Sequence, residues 1–374
     1  MALPRAAERY ATRLRALRQA MREQRLNCFF VSRLTNVRYL CGFSGSSGWL
    51  AVFPRSAFLL TDSRYELQVR REVAGAQLAL VGPQSMEKCL AAKLRQRGTG
   101  LRVGFEADHL TYSAVRRLRR ACRGQRLVAQ RDLVGRIRRV KDELELRALR
   151  RAVRITDQAF ARVVARVRAG MTEREIEFLL NTALRELGAE PAFPIIVAGG
   201  PNAALPHAQP SGRRLRPGDF LLVDMGARID GYHADMTRTC IIGKPRERQK
   251  RFYRAVLAAQ LAVIAEIRPG ARAKDLYRIA QEAIAEHGLA DVAFRHGLGH
   301  GVGLDIHEGP SLGAKSNDVL QPGMVVTVEP GVYDMRLGGV RIEDIVLVTE
   351  TGCTRLTRTP RPAELPTPRQ LCPR

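Results

Sequence analysis

LRPGDFLLVDMG, residues 215–226, returns in altered form as LQPGMVVTVEPG, residues 320–331. Pro217 matches Pro322, Gly218 matches Gly323, and seven residues after each proline stands an acid, Asp224 in one copy and Glu329 in the other. In both copies a Pro-Gly turn leads into an apolar run, so each acid is predicted at the end of a strand. The echo extends upstream. VRAGMTEREIEFLLNTALRELGAE, from Val167, parallels IRPGARAKDLYRIAQEAIAEHGLAD, from Ile267, with Gly170 matching Gly270 and Gly188 matching Gly288. Both read as a glycine stop, an amphipathic helix and a second glycine stop. A repeat of roughly 100 residues is too long for a solenoid unit. It predicts a duplicated αβ unit folded about a pseudo-twofold axis, with acids from both halves meeting at that axis.

The chain outside the repeat is built differently. Short apolar runs at 28–31, 49–53, 58–60, 78–81 and 101–105 alternate with helical patterns around Glu66, Glu87 and Val115, as in a mixed or parallel sheet flanked by helices. Near Arg136 the pattern changes to a long helical stretch in which Leu144, Leu149, Val153, Ile155 and Phe160 keep a helical period. The fold class expected is therefore α/β (α+β): an N-terminal mixed-sheet domain, residues 1–138, then the duplicated domain, 139–358, and a proline-rich tail, 359–374. With 374 residues, two compact units are the expectation.

No run approaches the roughly 18 apolar residues of a membrane span, and the arginine-rich N-terminus has no apolar core of a secretory signal. Leu14, Leu17 and Met21 recur there at helical spacing, so a surface helix of the first domain is expected. Seven scattered cysteines without a CxxC pair suit reduced thiols in a cytoplasm. The net charge of +25 could attract nucleic acid or an anionic membrane. The basic residues are spread over the whole chain, 55 of the 62 being arginine, which reads as codon bias more than as a binding stripe. The densest clusters, RRLRR (116–120) and RIRRVK (136–141), are not interleaved with aromatics.

Two further segments carry chemistry. In FLLVDMGARIDGYHADMTRTCII (220–242) β-rich arms flank the turn signal Ile229-Asp230-Gly231, and a turn centred on Ile229 and Asp230 would set Asp224 opposite Asp235. Two apposed carboxylates repel unless one is protonated or a cation lies between them; two ordinary turn-flanking acids are the plainer alternative. Glu329 has a comparable neighbour in Glu343 of GGVRIEDIVLV, where alternation puts Arg341 and Glu343 on one face. HGLGHGVGLDIHEGP (296–310) spaces His296 and His300 like a helical zinc site, but Gly297 stands where that motif has glutamate, and four glycines argue for a strand or loop pressed against another backbone. One histidine with four carboxylates is an oxygen-rich donor set, suited to two divalent ions of the manganese type ahead of zinc or cobalt.

DMGARIDGYHADMTRT, HGLGHGVGLDIHEGP, VEPGVY and RIED together resemble the pita-bread-fold metallopeptidases, in particular aminopeptidase P (Xaa-Pro aminopeptidase) and prolidase (Xaa-Pro dipeptidase). YLCGFSGSSGWLAVFP with LLTDSRYELQ also resembles their N-terminal domain, so the likeness covers nearly the whole chain. The resemblance implies a pita-bread catalytic domain and two metal ions held by Asp224, Asp235, His300, Glu329 and Glu343, with Asp235 and Glu343 bridging. It implies that Glu329 is also the acid/base, that His207, His296 and His307 are catalytic, substrate-contacting histidines, and that Arg341 engages a substrate carboxylate or orients the site. His109, His233 and His287 match no site motif.

The resemblance further implies a cytoplasmic dimetal exopeptidase acting on proline-containing peptides. The leading expectation is removal of the residue before a penultimate proline; the alternative is a prolidase confined to Xaa-Pro dipeptides. A homodimer or homotetramer is implied. Methionine aminopeptidases lack this N-terminal domain, and the creatinase-like and histone-chaperone members have lost the metal ligands. A non-catalytic, basic nucleic-acid-binding or scaffold protein on the same fold is the remote reading.

Overall fold

The structure is a computed structural model that describes residues 3–82 and 85–372. The chain divides between Arg138 and Arg139 into two compact units. The first begins with α1 (Leu3–Glu23), whose Leu14, Leu17 and Met21 are fully buried; Met1 and Ala2 lie outside the described residues. Next come β1 (Cys28–Val31), α2 (Leu34–Cys41), β2 (Trp49–Val52), β3 (Ala57–Thr61), α3 (Glu66–Glu72) and β4 (Gln77–Leu80). The unit is completed by α4 (Met86–Arg95), β5 (Arg102–Glu106), α5 (Tyr112–Ala121), β6 (Arg126–Gln130) and α6 (Leu133–Arg138). The six strands form one mixed sheet in the order β4-β3-β2-β1-β5-β6. β6, RLVAQ, has no counterpart among the expected apolar runs: as an edge strand with no fully buried residue, it gives only a weak apolar signal.

The second unit opens on α7 (Glu143–Val164), started by a reciprocal capping box between Asp142 and Glu145. Leu149, Val153, Ile155 and Phe160 are buried as their period predicts; Leu144 is exposed, and Leu146 takes its place in the core. The first half continues with α8 (Glu173–Glu186), β7 (Glu190–Pro191), β8 (Ile196–Gly199), β9 (Phe220–Met225), β10 (Ala227–Ile229), β11 (Tyr232–His233) and β12 (Met236–Ile241). The second half has α9 (Glu247–Glu266), α10 (Ala273–Glu286), β13 (Gly299–Gly301), β14 (Glu308–Leu312), β15 (Val325–Val328), β16 (Gly331–Asp334), β17 (Gly338–Arg341), β18 (Asp344–Val348) and β19 (Cys353–Arg355). The main sheets that carry the predicted site residues are β12-β9-β8 and β14-β13-β15-β18-β19.

The duplication is visible in the backbone. Gly170 and Gly270 both have φ near +90° and donate their N–H to Leu215 and Leu320, and the bridges Thr172↔Arg214 and Arg272↔Val319 stand at equivalent places. α8 and α10 are each fourteen residues long and end at Glu186 and Glu286, just ahead of the positive-φ Gly188 and Gly288. A single apolar core joins Phe220 and Leu222 of one half to Val326, Val328 and Val346 of the other, with α9 and α10 packed into it.

The 220–242 hairpin corrects one expectation. Its turn is centred on Asp230 and Gly231, both with positive φ, and not on Ile229 and Asp230. Asp-Gly is the pair that tolerates two left-handed residues, whereas β-branched Ile229 does not. Asp224 therefore faces Thr237, and Asp235 is offset along the strand. Moving the partner by two residues keeps every side chain on its original face, so both acids still point the same way.

The proline-rich segment after residue 358 is docked on this unit. Ile241 donates its N–H to Pro366, Tyr253 Oη donates to the Pro362 carbonyl, and Leu365 and Leu371 are buried. Pro373 and Arg374 lie outside the described residues.

Candidate metal centre

All nine side chains singled out in the sequence, His207, Asp224, Asp235, His296, His300, His307, Glu329, Arg341 and Glu343, line one cleft of about 620 Å³ in the second unit. Asp224 comes from β9, Asp235 from the entry to β12, His300 from β13, Glu329 from the residue after β15, and Glu343 from the junction of β17 and β18. Strand ends from both halves thus deliver the acids to one floor. The glycines around His300 allow this: a Cβ on Gly299 would lie 2.0 Å from the Thr327 carbonyl oxygen, and one on Gly301 2.2 Å from that of Gly309. β13 lies between β14 and β15, and at Gly299 and Gly301 no side chain fits.

His300 Nδ1 lies 3.1 Å from the Gly301 carbonyl, which can only accept, so Nδ1 carries the proton and Nε2 presents its lone pair. That Nε2 is 3.6 Å from Asp235 Oδ2 and 3.5 Å from Glu329 Oε1. Burial, with the neighbouring His307, pushes His300 down to about 4 and keeps it neutral. Ligand atoms of Asp235, His300 and Glu343 all lie within 4.8 Å of one another. Burial, and then the charges of Glu343 and Asp224, hold the Asp235 carboxyl well above the usual range; burial with Glu329 and Asp224 does the same to Glu343. Burial also raises Glu329, to about 8, with Asp224 adding to it against the opposing pull of Arg341.

Four carboxylates converge, and Arg341 is the cation bonded among them. Asp224 Oδ1 and Glu343 Oε1 are buried without a hydrogen-bond partner. Buried carboxylate oxygens left unbonded, crowded by like charge and facing a neutral imidazole nitrogen, fit divalent cations. The residues present therefore suit the metals that their chemistry implies.

Arg341 donates from all three of its nitrogens. Its Nη2 donates to Asp224 Oδ2 (2.6 Å), Nε to Thr237 Oγ1 (3.1 Å), and Nη1 to Tyr333 Oη (3.0 Å) and the Pro206 carbonyl (3.5 Å). Of the two roles expected for it, this geometry suits orientation of the site over capture of a substrate carboxylate. Tyr333 in turn lies 3.0 Å from His296 Nε2, while His296 Nδ1 sits 2.7 Å from the Gly297 carbonyl. His296 is thereby a neutral acceptor for the Tyr333 hydroxyl. His307 packs edge-on against His300, with ring centroids 4.4 Å apart, and His207 stands exposed at the rim.

Two residues of the site, Thr237 and Tyr333, are not among those expected from the sequence. The Thr237 hydroxyl donates to Glu343 Oε2 at 2.7 Å and accepts from Arg341, joining the two halves. Asp235, Thr237 and Thr239 alternate along DMTRT, and this period-two pattern was the available signal. Tyr333 closes VEPGVY two residues into β16, without any local sign of its partner. His233 is buried with Nδ1 3.0 Å from the Gly303 carbonyl, and His287 Nδ1 lies 2.9 Å from Ala283, both outside the cleft lining.

Comparison with known proteins finds a match of residues 147–350 to the metallopeptidase family M24 and of residues 13–140 to the creatinase/prolidase N-terminal domain. The Xaa-Pro dipeptidase of Pyrococcus furiosus is 35% identical over 350 residues, covering 93% of this chain and 98% of the relative. Among solved structures, the Xaa-Pro dipeptidase from Bacillus anthracis superposes with a TM-score of 0.90 at 34% identity, covering 94% of this chain and 98% of that one. The X-Pro aminopeptidase from Thermotoga maritima gives 0.84 at 33% identity, covering 92% and 99%.

Proposed function

The chain belongs to metallopeptidase family M24 and is a metallo-exopeptidase of the pita-bread fold, and from that premise we propose that it is an Xaa-Pro dipeptidase, hydrolysing the bond before proline in dipeptides. On sequence motifs aminopeptidase P stands first and prolidase second; the names of near-full-length relatives support the reverse order. The observation that carries the reading is the convergence of four carboxylates and one neutral imidazole on a cleft floor where two buried oxygens have no hydrogen bond. The Thermotoga maritima likeness keeps the aminopeptidase as the second reading.

In this proposal Asp224, Asp235, His300, Glu329 and Glu343 hold two divalent ions, manganese ahead of cobalt or zinc because oxygen donors dominate. When bound, such ions lower the pKa of an attacking water and polarise the scissile carbonyl. The remaining work falls to the chain itself. Glu329 takes the proton of the attacking water on its carboxylate and delivers it to the departing nitrogen. That nitrogen belongs to a tertiary amide with no hydrogen of its own, so it cannot leave as an amine until it receives one. Arg341 holds Asp224 in place through the 2.6 Å bond, His207 and His307 contact the substrate and its developing oxyanion, and His296, both of whose ring nitrogens are engaged, borders the substrate. Phe193, Ile195 and Ile306 supply an apolar wall for the proline ring. Seven free cysteines support a cytoplasmic site of action, and no helix of the described residues is long and apolar enough to cross a membrane.

The test is hydrolysis of a matched Xaa-Pro dipeptide and Xaa-Pro-Yaa tripeptide by manganese-loaded protein. Cleavage of the dipeptide with little of the tripeptide is expected; efficient tripeptide cleavage would replace the dipeptidase reading by the aminopeptidase. A second expectation concerns the ions. Manganese at 100 times its Kd should stabilise chelator-treated protein by about 2.7 kcal/mol per site, read as a rise in the urea midpoint. An Asp235→Asn, Glu343→Gln double variant should lose that rise; an equal rise in the variant would place the ions elsewhere.

A further inference from the structure

Two arginine stripes of the same helical spacing differ in one respect. On α7, Arg147, Arg150, Arg151 and Arg154 are exposed at i, i+3, i+4 and i+7, and Glu143 and Asp230 lie against three of them, at 3.4 and 3.5 Å from Arg147 and Arg150 and at 3.5 Å from Arg151. On α5, Arg116, Arg119 and Arg120 are exposed at the same spacing, and Arg123 continues the series in the next turn of chain. None of these four has an acidic partner among the described residues; Arg117, on the neighbouring face, is the one that pairs with Glu87. Residues 85–126 carry eleven Lys and Arg against Glu87, Glu106 and Asp108. Two of these acids are buried and already engaged, Glu87 by Arg117 and Glu106 by Ser32, Arg33 and Asn36. The net charge of the chain is therefore not uniformly solvated: on this face it is left unmatched.

We propose that the α5 face of the N-terminal unit is a docking surface for the phosphate backbone of duplex nucleic acid. Stripe residues three and four apart lie about 5–6 Å from one another, and seven residues of helix span roughly 10 Å, enough to follow about four successive phosphates of one strand. A single-stranded partner would be stacked on aromatics, and the face offers one, Tyr112. A bilayer would need an apolar helix face to bury, but that face of α5 is spent: Leu118 is fully buried, with Val115 and Ala121 packed against the same core cluster. There remains a row of guanidinium groups able to form bidentate, sequence-independent phosphate contacts. This surface is independent of the cleft and of the peptidase reading.

The experiment uses full-length, manganese-loaded protein, a mixed-sequence 20-base-pair DNA duplex, and vesicles containing phosphatidylserine. Four phosphate contacts give a salt slope of about −3.6, so affinity should fall roughly 100-fold between 50 and 200 mM salt. Replacing Arg116, Arg119, Arg120 and Arg123 by Gln should cost at least about tenfold at 50 mM and flatten that slope. Replacing Arg147, Arg150, Arg151 and Arg154 by Gln removes the same charge and should change affinity by less than about twofold. Circular dichroism and peptide hydrolysis, unchanged in both variants, show that each is folded. Equal losses in the two variants would mean that net charge alone is responsible and would overturn the proposal. So would binding of vesicles without binding of the duplex, or no duplex binding at 50 mM salt.

Discussion

Glu329→Gln is expected to lower kcat by about 10³-fold while leaving the metal content of the protein unchanged, because proton transfer at such a position contributes roughly 10²–10⁴. The amide keeps an oxygen in the place of Oε1, 3.5 Å from His300 Nε2, but cannot accept the proton of the attacking water or return it to the proline nitrogen. Its position favours such a role: Glu329 lines the cleft floor, half-buried, with Asp224 and His300 beside it. Metal analysis separates the two functions that this residue is given. A variant that keeps both ions and hydrolyses substrate within about tenfold of the parent would remove Glu329 from proton transfer. A variant that loses an ion would show the activity loss to be one of ligation.

Arg238→Met should destabilise the second unit by about 3–5 kcal/mol, the usual cost of leaving a buried charge without its partner. Arg238 and Asp344 are both almost completely buried, joined at 2.6 Å between Nη2 and Oδ1. The same guanidinium donates to the carbonyls of Thr237, Glu343, Thr359 and Pro360, so it ties strand β12, the Glu343 junction and the C-terminal segment together. Arg361 and Arg355 also lie 3.4 and 3.5 Å from Asp344 Oδ2, but their ion pairs leave those four carbonyl oxygens to Arg238. The measurement is the urea midpoint of the second unit, recorded with a probe in that unit because two units need not unfold together. A midpoint close to that of the parent would show that nearby arginines or water compensate. Adding Asp344→Leu to Arg238→Met should recover part of the loss, since the buried carboxylate deprived of its 2.6 Å partner goes with it.

The fold is legible in the sequence to different depths in different places. Gly170, Gly270, Gly188, Gly288, Gly218 and Gly323 all adopt positive φ, and it is these glycines that make the repeat readable. The buried faces of α1 and of α7 agree with helical period, except that Leu144 and Leu146 exchange places. β6 escapes because an edge strand of a mixed sheet needs few apolar residues. The hairpin register departs from the expected one by a single turn position, since Ile229 belongs to the strand and only Asp230 and Gly231 suit left-handed backbone. The cleft acids and the histidines are visible through their motifs and Thr237 only through the alternation of DMTRT, whereas Tyr333 and the bonded state of Arg341 are not.

The sequence by itself determined the duplication, the strand ends on which the acids sit, the close approach at Gly299 and Gly301, and the class of donor atoms available for metal. These are properties of local chemistry, since turn preference, period and residue type act over a few neighbouring residues. Only the tertiary structure decided which oxygens remain without hydrogen bonds, that Arg341 is bonded to Asp224, Thr237 and Tyr333, that Arg238 stitches the C-terminal segment to the site, and that two acids lie against one arginine stripe while its twin on α5 has none among the described residues. The bonds of Arg341 to Asp224 and Thr237 and of Arg238 to Thr359 join groups 117, 104 and 121 residues apart, and such meetings are set by sheet register and packing.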